Sequence, residues 1–303
     1  MTTERAPASS PCPICGSPGV RDTLYRLASF DVIRCGSCGG LQRDPLPSAA
    51  EMESYYRDPS YIDGSYFAGD TVGSRHPGPE TLIFGEALDR LAEQRASRGL
   101  GAGGRLLDVG AGSGAFLQLA RARGWEADGV ELSPELAGRA AARSGARVVV
   151  GDFPSVPLPE PVYDVVTMWD VLEHTADPGA FLDRARSLLA PGGILLVFTI
   201  DAASLFNTVA DLAWRATMHR LVRPLELLYD KRHNHYFSAR TLATLIRRHG
   251  LRIEHTAVHR AHLGRWLSEP VAAFVLAGAG IIDLLSFPLG RPYRQLLYCV
   301  AAP

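Results

Sequence analysis

An excess of either charge is missing from this chain of 303 residues, in which 31 basic side chains stand against 32 acidic ones. No overall field draws it to a polyanion, so nucleic acid is not the expected partner. Residues 1–11, MTTERAPASSP, lack the apolar stretch of a secretory signal and the arginine-rich amphipathic pattern of a transit peptide, which makes a cytoplasmic location the expectation. Internal repeats and low-complexity tracts are absent, which argues against solenoids and fibrous arrays. Crossing a bilayer takes about twenty apolar residues, whereas PVAAFVLAGAGII between Glu269 and Asp283 runs for only 13. With LLSFPLG behind it, that segment predicts a buried helix or a hairpin touching a membrane, and so leaves peripheral membrane association open. Cysteine is scarce at five residues, and four of these fall before residue 40 in two CxxC pairs. In a reducing compartment that clustering favours a metal over disulfides.

With 47% hydrophobic and 21% charged residues the composition suits a globular protein with a buried core. Three stretches differ in character: a Cys/Gly/Pro-rich head over 1–45, a connector with an entry helix over 46–100, and a periodic body over 101–303. In the connector, Tyr55, Tyr56, Tyr61, Tyr66 and Phe67 read as docking aromatics, followed by a helix over 79–97. In the body, strands are expected at 105–109, 126–131, 146–150, 163–169, 193–199, 251–258 and 295–301. Helical patterns fall at 113–123, 134–144, 178–189 and 238–249, with a long one at 203–228. Strands separated by helices need crossovers, so the fold class is α/β: a doubly wound, mostly parallel, seven-stranded sheet. Its loosely patterned segments at about 203–237 and 260–293 read as a lid and an insertion.

The run LLDVGAGSGAF is the most informative part of the body. Gly110, Gly112 and Gly114 follow a strand and open a helix, where missing side chains let a ligand approach the backbone. Alone this fits a dinucleotide fingerprint or a plain tight turn. Asp108 separates the readings, because a carboxylate at the strand end repels a pyrophosphate and attracts a cationic ligand. Glu131, ending the next strand in DGVELSP, can accept two ribose hydroxyls.

At these residues the chain resembles the class I S-adenosylmethionine-dependent methyltransferases, strongly so over about residues 80–200. LLDVGAGSG matches the family's first motif and VELSP its acidic second-strand end. GDFPSVPLPEPVYDVV, WDVLEH and LLAPGGILLVFT follow in the family's order. The resemblance implies a Rossmann-like fold in which Asp108 and the three glycines, with Ala111 between them, hold the methionine part of the cofactor. Glu131, with Leu132 next to it, would hold the ribose, while Asp152 and Phe153 would read the adenine. Trp169 and Asp170 would line the methionine side, an aromatic face near a sulfonium being favourable by about 0.5–2 kcal/mol; Trp169 as plain core is the alternative.

Cys12 and Cys15 in CPICG, and Cys35 and Cys38 in CGSCGG, are separated by 19 residues, as in zinc ribbons. Four thiolates on glycine-bearing turns suit one tetrahedral, structural zinc ion, so the head is expected to be a small zinc-ribbon-like module. Redox pairs are the competing reading.

Methyl transfer to a hydroxyl benefits from a general base. His174, after the fourth strand of the body, is the first candidate; capping a helix or orienting Asp170 are its alternatives. His233 and His235 in DKRHNHYFS alternate on an extended segment and could act as base, bind metal or hold loops, though metal lacks a third ligand. Arg215, Arg220, Arg223, Lys231 and Arg232, among Trp214, Met218, Leu221 and Leu225, suggest a contact for anionic lipid or a phosphorylated acceptor, or else a solvated helix face. The expected function is methylation, with oxygen as the expected acceptor atom, of a small-molecule or lipid-linked acceptor. Nucleotide-sugar or other C- and N-methylation, and a scaffold that binds cofactor without turnover, are the alternatives.

Overall fold

β1 (Arg5–Ala6), β2 (Arg21–Arg26), β3 (Asp31–Cys35) and β4 (Leu41–Asp44) pair antiparallel in sequence order, as neighbours joined by short turns do. The β2–β3 turn is closed by the Leu27 N–H donating to the Phe30 carbonyl at 3.0 Å. The computed structural model describes residues 5–6, 11–57, 79–99, 101, 103–159, 162–261 and 273–301. Tyr61, Tyr66 and Phe67 of the connector, and residues 262–272 of the expected insertion, lie outside the described residues.

Helix α1 (Ala49–Arg57) starts at Ser48, whose hydroxyl accepts from the Glu51 N–H while the Glu51 carboxylate accepts from the Ser48 N–H, a reciprocal cap that satisfies two otherwise orphaned donors. The entry helix α2 (Pro79–Ser97) has the expected bounds. The body then alternates: β5 (Arg105–Val109), α3 (Ala115–Ala122), β6 (Glu126–Glu131), α4 (Pro134–Ser144), β7 (Val148–Val150), β8 (Tyr163–Trp169), α5 (Pro178–Leu188) and β9 (Leu189–Ile200). After it come α6 (Leu205–Ala216), α7 (Arg223–Leu228), β10 (His235–Tyr236), α8 (Ala239–Arg248), β11 (Leu251–His259), α9 (Ala273–Ser286) and β12 (Arg294–Ala301).

Seven strands form one sheet in the order β11-β12-β9-β8-β5-β6-β7. β5 pairs parallel with both β6 and β8, β6 pairs parallel with β7, and β11 pairs antiparallel with β12. The chain builds outward from β5 on one side through β6 and β7, then returns to its other side with β8. That reversal is the switch point, and ligands of open α/β sheets bind beyond the carboxyl ends of the strands flanking it.

Three expected elements differ, the strand expected over 193–199 beginning earlier, at Leu189, directly after α5. The helical stretch over 203–228 is broken into α6 and α7, because Met218 and His219 adopt φ of 51° and 68°. That turn is closed by the His219 N–H donating to the Trp214 carbonyl at 2.8 Å and by the two rings stacking at 3.9 Å. The strand expected over 146–150 shrinks to Val148–Val150. Gly145 ends α4 in the left-handed region and the Ala146 N–H is held by the Ser144 hydroxyl, so the chain is still leaving the helix at residue 146.

By contact density the chain divides into two units. Residues 48–169 and 183–196 are centred on Leu106, Leu107, Leu117, Leu136, Val165, Val166 and Met168, all essentially buried and worth about 1.5–3 kcal/mol each for the larger side chains. Residues 1–47, 170–182 and 197–303 form the other, with a core of Tyr25, Phe30, Val32, Ala210, Leu225, Tyr229 and Tyr236. The N-terminal head is therefore joined in one core with α6, α7 and β10. β10 also extends its sheet, pairing antiparallel with β4 at His235↔Gln42 and Tyr236↔Leu41 to give the order β1-β2-β3-β4-β10.

Candidate active site

In the unit of residues 48–169 and 183–196, β5 delivers Asp108 and β6 delivers Glu131 at adjacent strand ends. Asp108 is 2% exposed, and the Thr167 hydroxyl of β8 donates to its Oδ1 at 2.7 Å. Burial pushes this carboxyl up to about 7 against the pull of the Thr167 hydrogen bond, with the Glu131 charge adding to the rise. Glu131 is 6% exposed and sits across the glycine turn: its Oε2 accepts from the Gly112 N–H at 2.8 Å and its Oε1 from the Ser133 N–H at 2.9 Å. Burial raises its pKa in spite of these bonds. Each oxygen keeps a second lone pair for a ligand hydroxyl.

The turn between them requires its glycines. Gly110, Gly112 and Gly114 have φ of 74°, 51° and 77°, conformations that a side chain disfavours by about 1–2 kcal/mol. A Cβ on Gly114 would also lie 2.6 Å from Cα of Ala140, so the residue is needed for helix packing. Ala111 is buried beside them, and Leu132, after Glu131, is 40% exposed. Asp152 is exposed and its carbonyl caps the turn by accepting from the N–H groups of Ser155 and Val156. Phe153 is 2% exposed and serves as core under that turn. Trp169 is half-buried at the end of β8, in edge contact with Phe84 at 4.7 Å and packed on Phe116 at 5.1 Å.

In the other unit the four N-terminal cysteines converge. Cys12 and Cys38 have their sulfurs 3.9 Å apart, as do Cys15 and Cys35, and all four lie within 4.8 Å of one another. Sulfurs about 2.3 Å from a tetrahedral zinc ion stand about 3.8 Å apart, whereas a disulfide needs about 2.05 Å; the donor set fits the ion. Burial raises the Cys35 thiol, but the backbone N–H groups of Cys38 and Ser37 outweigh it and bring it down to about 7. A Cβ on Gly40 would meet Ile14 Cδ1 at 2.5 Å and Cys38 Sγ at 3.2 Å, so glycine leaves room at the second knuckle. Helix α8 grips both knuckles: Arg240 donates to the Cys38 carbonyl at 2.6 Å and Arg248 to that of Pro13 at 3.1 Å.

The same unit gathers the imidazoles. His174 Nδ1 lies 3.1 Å from the Arg232 carbonyl, and the His174 and His233 rings meet edge to face at 4.6 Å. Burial keeps both neutral, lowering His233 to about 3. His235 is fully buried in β10, where burial lowers it to about 4, and it lines a cavity with Cys12 and Cys35. Asp170 has a φ of 50°, rare for a residue with a side chain, and its Oδ2 stands 4.0 Å from the Arg294 guanidinium. Glu173 is 2% exposed; burial first and then the Asp170 charge hold it well above the ordinary carboxylate range.

Glu173 stands beside the expected His174 in an EH pair, the one signal of it in the sequence. Thr167, Asn234 and Arg294 carried no local signal at all, since each acts on a residue brought near by the fold. Asn234 donates from its backbone to the Glu173 carbonyl at 2.7 Å and from Nδ2 to that of His174 at 2.8 Å. Part of the expected basic surface is internally paired, Arg215 with Asp211 at 2.8 Å, Arg223 with Glu226 at 3.5 Å, and Arg232 with Asp230. Asp283 is buried, accepting from the Ala261 N–H at 2.9 Å. Among the described residues no helix is long and apolar enough to cross a membrane.

Residues 82–256 match the family model described as a methyltransferase domain. A ubiquinone biosynthesis O-methyltransferase of Caulobacter sp. (strain K31) is 34% identical over 127 residues, covering 40% of this chain and 50% of that protein. A malonyl-[acyl-carrier protein] O-methyltransferase of Serratia marcescens is 34% identical over 104 residues, 34% of this chain and 41% of that protein. The chain thus spans half or less of these two relatives' lengths. Among solved structures, magnesium protoporphyrin IX methyltransferase from Synechocystis PCC 6803 with bound SAH superposes with a TM-score of 0.55 at 14% identity, covering 84% of this chain and 100% of that one. The [4+2]-cyclase SpnF superposes with a TM-score of 0.52 at 18% identity, covering 85% and 98%. Likeness at that identity speaks for the fold alone.

Proposed function

The chain belongs to the methyltransferase-domain family, and on that footing we propose that it transfers a methyl group from S-adenosylmethionine to a small-molecule or lipid-linked acceptor, at oxygen in preference to nitrogen or carbon. The observation that carries this reading is the pair of buried carboxylates, Asp108 and Glu131, flanking the glycine turn at the ends of β5 and β6. Two buried carboxyl groups with raised pKa values are poorly compensated alone and well compensated by a cationic ligand. The cofactor supplies an electrophilic methyl group on a sulfonium.

In this reading the chain's own residues bind and orient. Asp108 presents negative charge to the ammonium side through the turn of Gly110, Ala111, Gly112 and Gly114. Glu131 accepts ribose hydroxyls with the lone pairs that Gly112 and Ser133 leave, and Leu132 offers an apolar contact. Asp152 takes the adenine amino group, with Phe153 supporting the turn from below. Trp169 and Asp170 line the methionine side. His174 accepts the acceptor's proton, with His233 and His235 holding its loop; a neutral imidazole is the form able to do so. Cys12, Cys15, Cys35 and Cys38 hold one structural zinc ion.

We read residues 1–45 as the zinc module, 46–100 as the connector and 101–303 as the catalytic body, acting in the cytoplasm with peripheral membrane contact through the C-terminal apolar segment. O-methyltransferases among the relatives support oxygen as the acceptor atom. The test is release of S-adenosylhomocysteine with a panel of phenols, quinone precursors, acyl carriers and nucleotide sugars. Turnover with an oxygen acceptor is expected; cofactor binding without turnover on any member would leave a non-catalytic binding protein.

A further inference from the structure

The imidazole cluster holds more donors than a proton relay requires. Glu173, His174 and His233 each offer one ligand atom, and the three atoms lie within 4.8 Å of one another. We propose that these three residues bind one divalent transition-metal ion, at a centre separate from the four cysteines. Two imidazole nitrogens and a carboxylate oxygen are the donor set that suits zinc, manganese or iron(II).

Three further observations point to the ion. First, Glu173 is 2% exposed, and the Thr199 hydroxyl and its own backbone N–H approach its carboxylate without completing a hydrogen bond to either oxygen, an arrangement that a buried carboxylate seldom sustains unaided. Asp170 adds to the rise of the Glu173 pKa and Arg294 opposes that rise, and a cation bound beside the carboxylate would favour its ionised form. Second, the outer contacts are those of a ligand set. With Nδ1–H donating to the Arg232 carbonyl at 3.1 Å, His174 keeps its Nε2 lone pair for a metal. Asn234 fixes the carbonyls of Glu173 and His174 from one side. Third, Glu173 and His233 line a cavity of about 10 Å³ with Thr199 and Asn207, room on the scale of one water or ion.

Edge-to-face packing of the two imidazoles, with Thr199 favouring the Glu173 carboxylate, is the reading without metal. It leaves the carboxylate oxygens short of donors, and the ion does not. Three protein ligands leave a coordination position open, which an oxygen of a small ligand can take. Occupancy of the site does not depend on the methyl-transfer reading; only its use, as a Lewis acid for a hydroxyl acceptor, rests on that reading. In metal-free protein the same Nε2 lone pair is the one open to a proton.

The test uses the full chain with zinc supplied to the cysteines, titrated with Mn²⁺ and followed by electron paramagnetic resonance, beside Glu173→Gln and His233→Ala. One Mn²⁺ per chain is expected in the parent, with affinity at least about tenfold lower in both variants. No bound Mn²⁺ at submillimolar concentrations, or unchanged affinity in both variants, overturns the site. Co²⁺ on the parent protein keeps the question open to test should a variant fail to fold. Visible d–d bands without a thiolate charge-transfer band are expected, and thiolate bands alone overturn it. A parallel S-adenosylmethionine titration of the same samples shows separately whether the cofactor reading stands.

Discussion

Asp108 pays for its position in free energy whenever no cation is near, and the cost has a definite pH dependence. Its folded pKa is raised from 3.8 to about 7, so between those values the folded state holds more proton than the unfolded chain. The contribution of this group to stability therefore falls as pH rises from about 4 to about 7. In ligand-free protein, the difference in unfolding free energy between the parent and Asp108→Asn should shift in the variant's favour across that window; a constant difference would remove the raised pKa. A cation prefers the ionised form, so S-adenosylmethionine affinity should rise with pH through neutrality in the parent and stay flat in Asp108→Asn, being lower there by about tenfold, the scale of a lost charge-assisted contact. His174→Ala should depress turnover more than cofactor affinity, and full activity in that variant would remove His174 from the chemistry. Asp108 and Glu131 were legible in the sequence because each adjoins a turn that betrays its purpose. Glu173 and Asn234 were not, because burial and long-range partners give them their character.

The elements tell a similar story at longer range. Both CxxC pairs, the entry helix and the alternation from β5 to β9 could be read locally, from ligand spacing and hydrophobic period. Pairing of β4 with β10 could not, since nothing in HNHYFS announces which edge it joins. That pairing has a consequence: the Arg43 N–H donates to the Asn234 carbonyl at 3.0 Å, and Asn234 in turn holds Glu173 and His174. The cysteine knuckles and the imidazole loop are thus successive links of one hydrogen-bonded chain. If the four cysteines hold zinc as proposed, its removal should raise amide exchange in residues 231–237 and 172–175 as well as in 12–44, while β5 and β6 stay protected. Exchange confined to the head would show that the ribbon does not support the loop. The break at Met218 and His219 was likewise unreadable, because helical spacing continues on either side of a turn closed by Trp214.

For the molecule as a whole, a doubly wound, mostly parallel, seven-stranded sheet was legible from the succession of strands and helices, because parallel neighbours need crossovers; the order of its strands is set by pairings that no local pattern carries. Surface character was not legible either. Ile281 is 60% exposed, Leu284 58% and Leu289 59% on and after a helix that the sequence assigned to core or membrane, and Met218, in a stretch read as a lipid or phosphate contact or a solvated face, is 73% exposed. Apolar exposure on this scale marks a contact surface more often than chance. If it meets lipid, the protein should co-sediment with anionic vesicles and Ile281→Glu with Leu284→Glu should abolish this; equal recovery with and without vesicles would contradict membrane contact. The central claim, a cradle of two carboxylates for a cationic methyl donor, is reached most directly by calorimetric titration of the full chain with S-adenosylmethionine. One saturable site is the predicted result, weakened by Asp108→Ala and by Glu131→Ala. Heats indistinguishable from dilution up to millimolar cofactor, with folded protein in the cell, would contradict it.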